Sequence, residues 1–538
     1  MPPLSSYAWA PEKEHGAYGY DQLLEIIAAN DAEALDEYLE KYNPQTIEEG
    51  TDEDWRIVRV LEEPGYWGDR FWEAIRFGSV DVYHQLVVYQ RDQAAAGSNL
   101  LSPPESPLLQ ACQHDHVDMV RYLLRHSDDV AADLAAVGNY GRTALLAACD
   151  TRCEEIVGML LDYGANVRDH TDWLYYDHGA TGNERKGHET VLSLAIPYVG
   201  PALLRRLIDL GAPLHAPLLG FKRRYEGVTI LHIAATYANS TAVEILLDTP
   251  EGREMAGMRD KLGRLPIHWA ANCGHHDLMT LSQDLIRRAV ETMKLLLPQS
   301  PVNGLDSLGN TPLHLAVRCS HMWSKGSSTE PAEGQDRSAF RHAISHLLLK
   351  NGADAALRNQ KGETALGILV GLQFDTAPTE LIARLLDRGG ADVNEAADAL
   401  GNMPLHHAAR NLPRGLGAVR FLLGRGADPG LANADGDTPA HAAARSQGVP
   451  GENQHKDVSR EIEQVLGLMF EVASSGSSGE ERNHLRDRLN AAGMTPQEVL
   501  GEELADLARR IEKRGIEREK SRLNRLARGG YRGRGRGM

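Results

Sequence analysis

The apolar residues of this chain fall in short bursts with helical spacing. In "VDMVRYLL" (Val117 to Leu124), "EEIVGMLL" (Glu154 to Leu161) and "AVRFLL" (Ala418 to Leu423) they recur at i, i+3, i+4 and i+7, one buried stripe per helix. A shorter helix precedes each such burst. It opens on Thr-Pro or a substitute and ends on small residues such as Ala234-Ala235, Ala270-Ala271 and Ala408-Ala409, which let neighbours approach closely. The Thr hydroxyl caps free amide hydrogens, and Pro suits the first helical position. A glycine two residues before that start (Gly141, Gly227, Gly263, Gly309, Gly362, Gly401, Gly436, Gly493) permits the tight turn that aims the helix. A further glycine, in "YGANV" at Tyr163, "NGADA" at Asn351 and "RGADP" at Arg425, predicts a left-handed end to the longer helix.

The unit is therefore turn, helix, helix, loop, and it recurs. Positions equivalent to Thr311 are Ser106, Thr143, Thr190, Thr229, Leu265, Thr364, Met403, Thr438 and Thr495, spaced 35 to 57 residues apart. The shorter spacings sit just above a basic unit of about 33 residues, and the longer ones hold insertions. One unit cannot bury its stripe alone, whereas stacked units can.

These residues resemble the ankyrin repeat. Gly309, Thr311, Pro312, Leu313, His314 and Ala316 match its first half. Gly274 and His275 match the turn between its helices, and Gly390, Ala391, Asp392, Val393 and Asn394 match its closing loop. The resemblance implies an all-α solenoid of stacked helix-turn-helix units with short turn fingers. Residues 1–100 are expected to form divergent N-terminal capping repeats, from "QLLEIIAANDAEALDEYL" (Gln22 to Leu39) and "FWEAIRFGSVDVYHQLV" (Phe71 to Val87). Residues 101–500 form an array of about ten units, and 501–538 a basic helix followed by an Arg/Gly-rich disordered tail. Gly187 lies three residues before Thr190 instead of two, and Leu265 and Met403 replace the capping Thr, so those helix starts should be weaker.

Composition narrows the function. Five cysteines with no Cys-x-x-Cys pair build no disulfide framework and fit a reducing compartment, cytoplasmic and/or nuclear. The N-terminus lacks the basic-then-apolar order of a secretory signal, and no apolar stretch reaches membrane-spanning length. The net charge of −18 hides an asymmetry, because Arg509 to Met538 carries +9 and the remainder −27. An acidic body of that size repels phosphate and makes a poor general nucleic-acid binder.

No phosphate-binding loop, His-Glu-x-x-His or Gly-x-Ser-x-Gly is present, so no enzyme, metal or cofactor is expected. His232, His268, His314, His406 and His441 occupy the fourth place of the helix-start motif. There the resemblance implies that the imidazole bonds neighbouring turns. The insertion between Arg168 and Gly187 places Trp173, Tyr175 and Tyr176 in a polar loop, as binding anchors or as cover for adjacent units. The stretches from Ser320 to Ser338 and from Arg445 to Ser459 are expected to be flexible spacers. In ankyrin proteins the turn tips and first helices line a concave face that grips partners. That resemblance marks Leu262, Leu308 and Leu400, with Tyr140, Arg142, Lys261, Arg264 and Lys361, as protein-binding candidates.

The expected role is a protein-interaction adaptor or scaffold with no small-molecule substrate. One alternative is an RNA-associated factor using Arg528, Tyr531, Arg532, Arg534 and Arg536 of the tail, whose arginines are also of the kind that become methylated. Another is a regulatory subunit or inhibitor of an enzyme.

Overall fold

The computed structural model describes residues 18–42, 64–95, 106–138, 141–171, 173–176, 184–187, 189–214, 227–272, 282–318, 333–372, 378–411, 415–445, 464–469, 471, 487–500 and 502. Tyr140, the tail candidates from Arg528 to Arg536, and most of both spacer stretches lie outside them. By packing, the chain divides into Met1–Ala270 with His275–Asp277, and Ala271–Gly274 with Leu278–Met538.

The first unit is a series of helix pairs. Both N-terminal pairs expected from spacing are present, Tyr18–Ala29 with Ala32–Lys41 and Pro64–Phe77 with Val80–Ala95. Four more follow: Pro107–Gln113 with Val117–His126, Ala144–Thr151 with Glu154–Asp162, Val191–Ala195 with Pro201–Asp209, and Ile230–Thr236 with Ser240–Asp248. The first helices pack on one another, as do most of the second helices, and this buries both stripes. In Ala144–Thr151 the residues from Ala144 to Cys149 are all buried. Small side chains are required there, because a first helix has neighbours on three sides.

The second unit repeats the arrangement. Its first helices are Pro312–Arg318, Ala365–Val370, Pro404–Arg410 and Pro439–Ala444, and its second helices are Gln283–Leu296, Glu333–Lys350, Thr379–Asp387 and Leu416–Gly424. Helix Glu333–Lys350 begins inside the stretch read from sequence as a flexible spacer, so residues 333–338 are helical instead. The second departure is at 173–187. Trp173–Tyr176 pairs with Glu184–Gly187 as an antiparallel hairpin, Trp173 opposite Gly187 and Tyr176 opposite Glu184. Aromatic residues favour extended chain, and the segment is too short for a helix pair.

The turn glycines behave alike. All eight named above have φ between +69° and +76°, and Gly164, Gly352 and Gly426 at the loop ends lie between +86° and +90°. At Gly362 the demand is double, because a Cβ added there would sit 2.7 Å from the Ala399 nitrogen of the next turn. Gly362→Ala is therefore expected to cost about 1–3 kcal/mol of stability. Gly424→Ala, at a helical position where a Cβ meets nothing within 4 Å, should be neutral or stabilising. Urea unfolding of both variants checks the contrast.

Candidate functional site: the turn fingers

Each described finger of the second unit is a tight hairpin built by one side chain. In the second unit, Asp306 Oδ1 accepts the amides of Leu308 and Asn310, both at 2.8 Å. Asn359, Asp398, Asn433 and Asn490 do the same for the residues two and four places on. The glycine amide then bonds back to the carbonyl of that Asp or Asn, at 2.8–3.2 Å across the five fingers. A turn closed in this way and ended by a left-handed glycine is the bulged form natural to three-residue hairpins. The Asp or Asn three residues before the glycine was visible in the sequence, but its role was missed.

Fingers are joined to one another through the backbone. The Gln360 amide donates to the Leu308 carbonyl (2.9 Å), Ala399 to Lys361 (3.1 Å), Ala434 to Leu400 (2.9 Å) and Ala491 to Asp435 (2.9 Å). Side-chain amides add cross-ties, Asn359 to Asn310 (3.0 Å), Asn433 to Asn402 (2.8 Å) and Asn490 to Asp437 (2.9 Å). These bonds consume the polar atoms and leave the tips outward. Leu308 is 53% exposed and Leu400 55% exposed, with Lys361 exposed on the finger between them.

Beneath the fingers runs a column of imidazoles. The amides of Thr311, Met403 and Thr438 donate to Nδ1 of His314, His406 and His441 at 3.1–3.2 Å. With Nδ1 accepting, the proton is on Nε2, which donates onward to the carbonyls of Glu363 (3.1 Å), Asp437 (2.9 Å) and Met494 (3.0 Å). His232 does the same in the first unit, from Thr229 to the carbonyl of Arg264. Each ring thus caps its own helix through Nδ1 and holds its repeat to the next through Nε2. Met403 and Leu265 lack a hydroxyl, yet His406 and His268 still take their amides, so half of each cap survives.

In the first unit Lys261 is exposed and Leu262 half-buried. Arg264 turns inward. It pairs with buried Asp260 at 2.7 Å, and its guanidinium lies 4.5 Å from the centre of the Trp269 ring. Arg142 bridges Asp150 (2.7 Å) and Glu189 (3.5 Å), fastening its finger to the following repeat. Trp173, Tyr175 and Tyr176 lie on the first strand of the hairpin. Of the cysteines, Cys112 and Cys149 are buried; burial pushes both thiols up, that of Cys149 to about 12, which leaves them protonated and unreactive.

The repeated finger, imidazole and helix pair is matched by a family model described as ankyrin repeats (3 copies), over residues 71–171, 184–284 and 338–433. That is more than half of the chain. It belongs to the ankyrin-repeat family. The relatives include the mouse (Mus musculus) ankyrin repeat and SOCS box protein 16, 41% identical over 103 residues, 19% of this chain and 22% of that protein. Ankyrin repeat protein nuc-2 of Neurospora crassa is 29% identical over 228 residues, 40% of this chain and 20% of that protein. The chain thus matches about a fifth of the length of these curated relatives. An ankyrin array is a protein-interaction module, and among the described residues no helix is long and apolar enough to cross a membrane.

The imidazole column makes the fold sensitive to acid. Burial lowers all four rings, His232 and His406 to about 4. The unfolded chain takes up these protons near pH 6.5 and the folded chain only at lower pH, near 4 for His232 and His406, so protonation favours unfolding. Stability from these groups is complete above about pH 6.5 and drains as pH falls towards 4, by up to about 3 kcal/mol for His406 alone. Urea midpoints measured from pH 7.5 to 4.5 should fall steadily. His406→Asn should start lower and fall less.

Proposed function

We propose that the protein is an adaptor that holds protein partners along the tips of its fingers and the adjoining first helices. One observation carries this reading: finger-to-finger bonding fixes Leu308, Lys361 and Leu400 in order along one edge of the second unit and leaves their side chains exposed. Exposed leucines held on a rigid backbone lose little entropy on binding, which suits an interface. Lys261 and Leu262 supply the corresponding tip in the first unit. Within the first unit Arg142 and Arg264 position fingers, since their charges are already paired. The hairpin bearing Trp173, Tyr175 and Tyr176 is a second contact element, built on an insertion that the repeat itself does not require. The setting is intracellular, cytoplasmic or nuclear, in keeping with the reduced thiols.

Leu308→Glu with Leu400→Glu tests the reading. Proximity labelling in the native cell should recover a set of proteins with the wild type, and the variant should lose most of it while keeping its far-UV circular dichroism. An unchanged set from a folded variant would remove the fingertips from the interface.

A further inference from the structure

The two units carry opposite charge on their second helices. In the first unit, the six helices Ala32–Lys41, Val80–Ala95, Val117–His126, Glu154–Asp162, Pro201–Asp209 and Ser240–Asp248 hold six Lys/Arg against thirteen Asp/Glu. In the second, Gln283–Leu296, Glu333–Lys350, Thr379–Asp387 and Leu416–Gly424, with Arg388 and Arg425 just past their ends, hold ten against six. A net positive face on a chain of net charge −18 is contrary to its average.

Within that face the cations are in register. His346, Arg384 and Arg420 each stand six residues before the loop glycines Gly352, Gly390 and Gly426, on helices that pack in sequence. Lys350 and Arg388 stand two residues before the first two of those glycines. Arg384 donates to His346 Nδ1 and also meets Glu380 at 2.6 Å, while His342 Nε2 lies 3.4 Å from the same carboxylate. Arg425 pairs with Asp387. Lys350, Arg388 and Arg420 are exposed and have no ion-pair partner among the described residues. Burial first, then Arg384, His342, Arg388 and Lys350, lowers the pKa of His346, consistent with positive charge gathered around one ring.

We propose that this face, formed by Lys350, Arg384, Arg388 and Arg420 with His342 and His346, docks a short Asp/Glu-rich segment of a partner protein. Three neighbouring helices spaced about 9 Å apart span about 18 Å, the length of five or six extended residues. Arginine forks pair bidentately with carboxylates. The limited size of the patch selects the ligand class. Surface charges act over a Debye length of about 8 Å, so a nucleic acid running past the patch comes within reach of the acidic surface beside it and is disfavoured, whereas a short acidic peptide stays on the patch. The site is separate from the fingertips, so an adaptor could engage two partners at once.

The test uses full-length protein and a fluorescent peptide of ten alternating Asp and Glu residues, read by anisotropy at low and physiological salt. It is run in the natural chain and in one with Arg528, Arg532, Arg534 and Arg536 changed to Gln, so that the basic tail is not the reporter. In the second background Arg388→Glu with Arg420→Glu should weaken binding by about tenfold or more at low salt, and Arg420→Glu alone by less. Arg388→Lys with Arg420→Lys should retain most of the affinity. Arg125→Glu, an exposed reversal on a second helix of the first unit, should change little. Equal binding by the folded double reversal, or an equal loss in Arg125→Glu, would overturn the proposal. So would a ten-nucleotide oligouridylate that displaces the peptide more tightly than unlabelled peptide and depends on the same arginines.

Discussion

Among the described repeats of the second unit, each is completed by the one that follows it. A pair of helices exposes an apolar stripe, and its finger exposes backbone groups that have no partner within the unit. Both needs are met by the next repeat: its helices cover the stripe, while Gln360 of its finger closes onto Leu308 and His314 reaches the carbonyl of Glu363. The bonds are individually worth about 1 kcal/mol net, but an unmade one leaves a buried polar group without a partner and costs more. Geometry is therefore transmitted locally, and the tolerances at each junction are tight. The glycine at 362 and the alanines of the first helices are consequences of that spacing.

Much of this was readable from the chain. Two periodicities, the helical stripe and the recurrence of Gly-x-Thr-Pro, mark the helix pairs and the turn glycines and carry the resemblance to the family. The role of Asp306 and its equivalents was harder to read, since Asp and Asn are frequent in any turn. Only the geometry shows that one oxygen holds two amides. Charged residues at the tips were the least legible. Arg264 and Lys361 both stand beside a turn glycine, one after it and one before, and sequence alone does not tell that the first is drawn inward by Asp260 and Trp269 while the second faces solvent. The aromatic insertion was read as loop because its strand tendency spans only four residues, and its pairing depends on a second segment that shows no such tendency.

The division of labour follows from the same economy. Atoms facing the neighbouring repeat are committed, so diversity is confined to fingertips, insertions and the solvent side of the second helices. On the fingers that freedom is used for leucine and lysine. On the second helices it is used for charge, with opposite signs in the two units.

The helix Ala365–Val370 departs in one respect from the other first helices of the second unit. Where they carry an imidazole it carries Gly367, and the Thr364 amide goes directly to the Ala397 carbonyl at 3.0 Å. A Cβ at 367 would stand 2.6 Å from that of Ala397, so the following segment has moved in to occupy the space a ring would have filled. This seam has no imidazole across it; bare main chain closes it at the first helices, and the ion pairs Arg358–Glu395 and Arg425–Asp387 cross it further out. When acid protonates the imidazoles of its neighbours, this joint has no ring to lose, and its backbone bond from Thr364 to Ala397 is untouched.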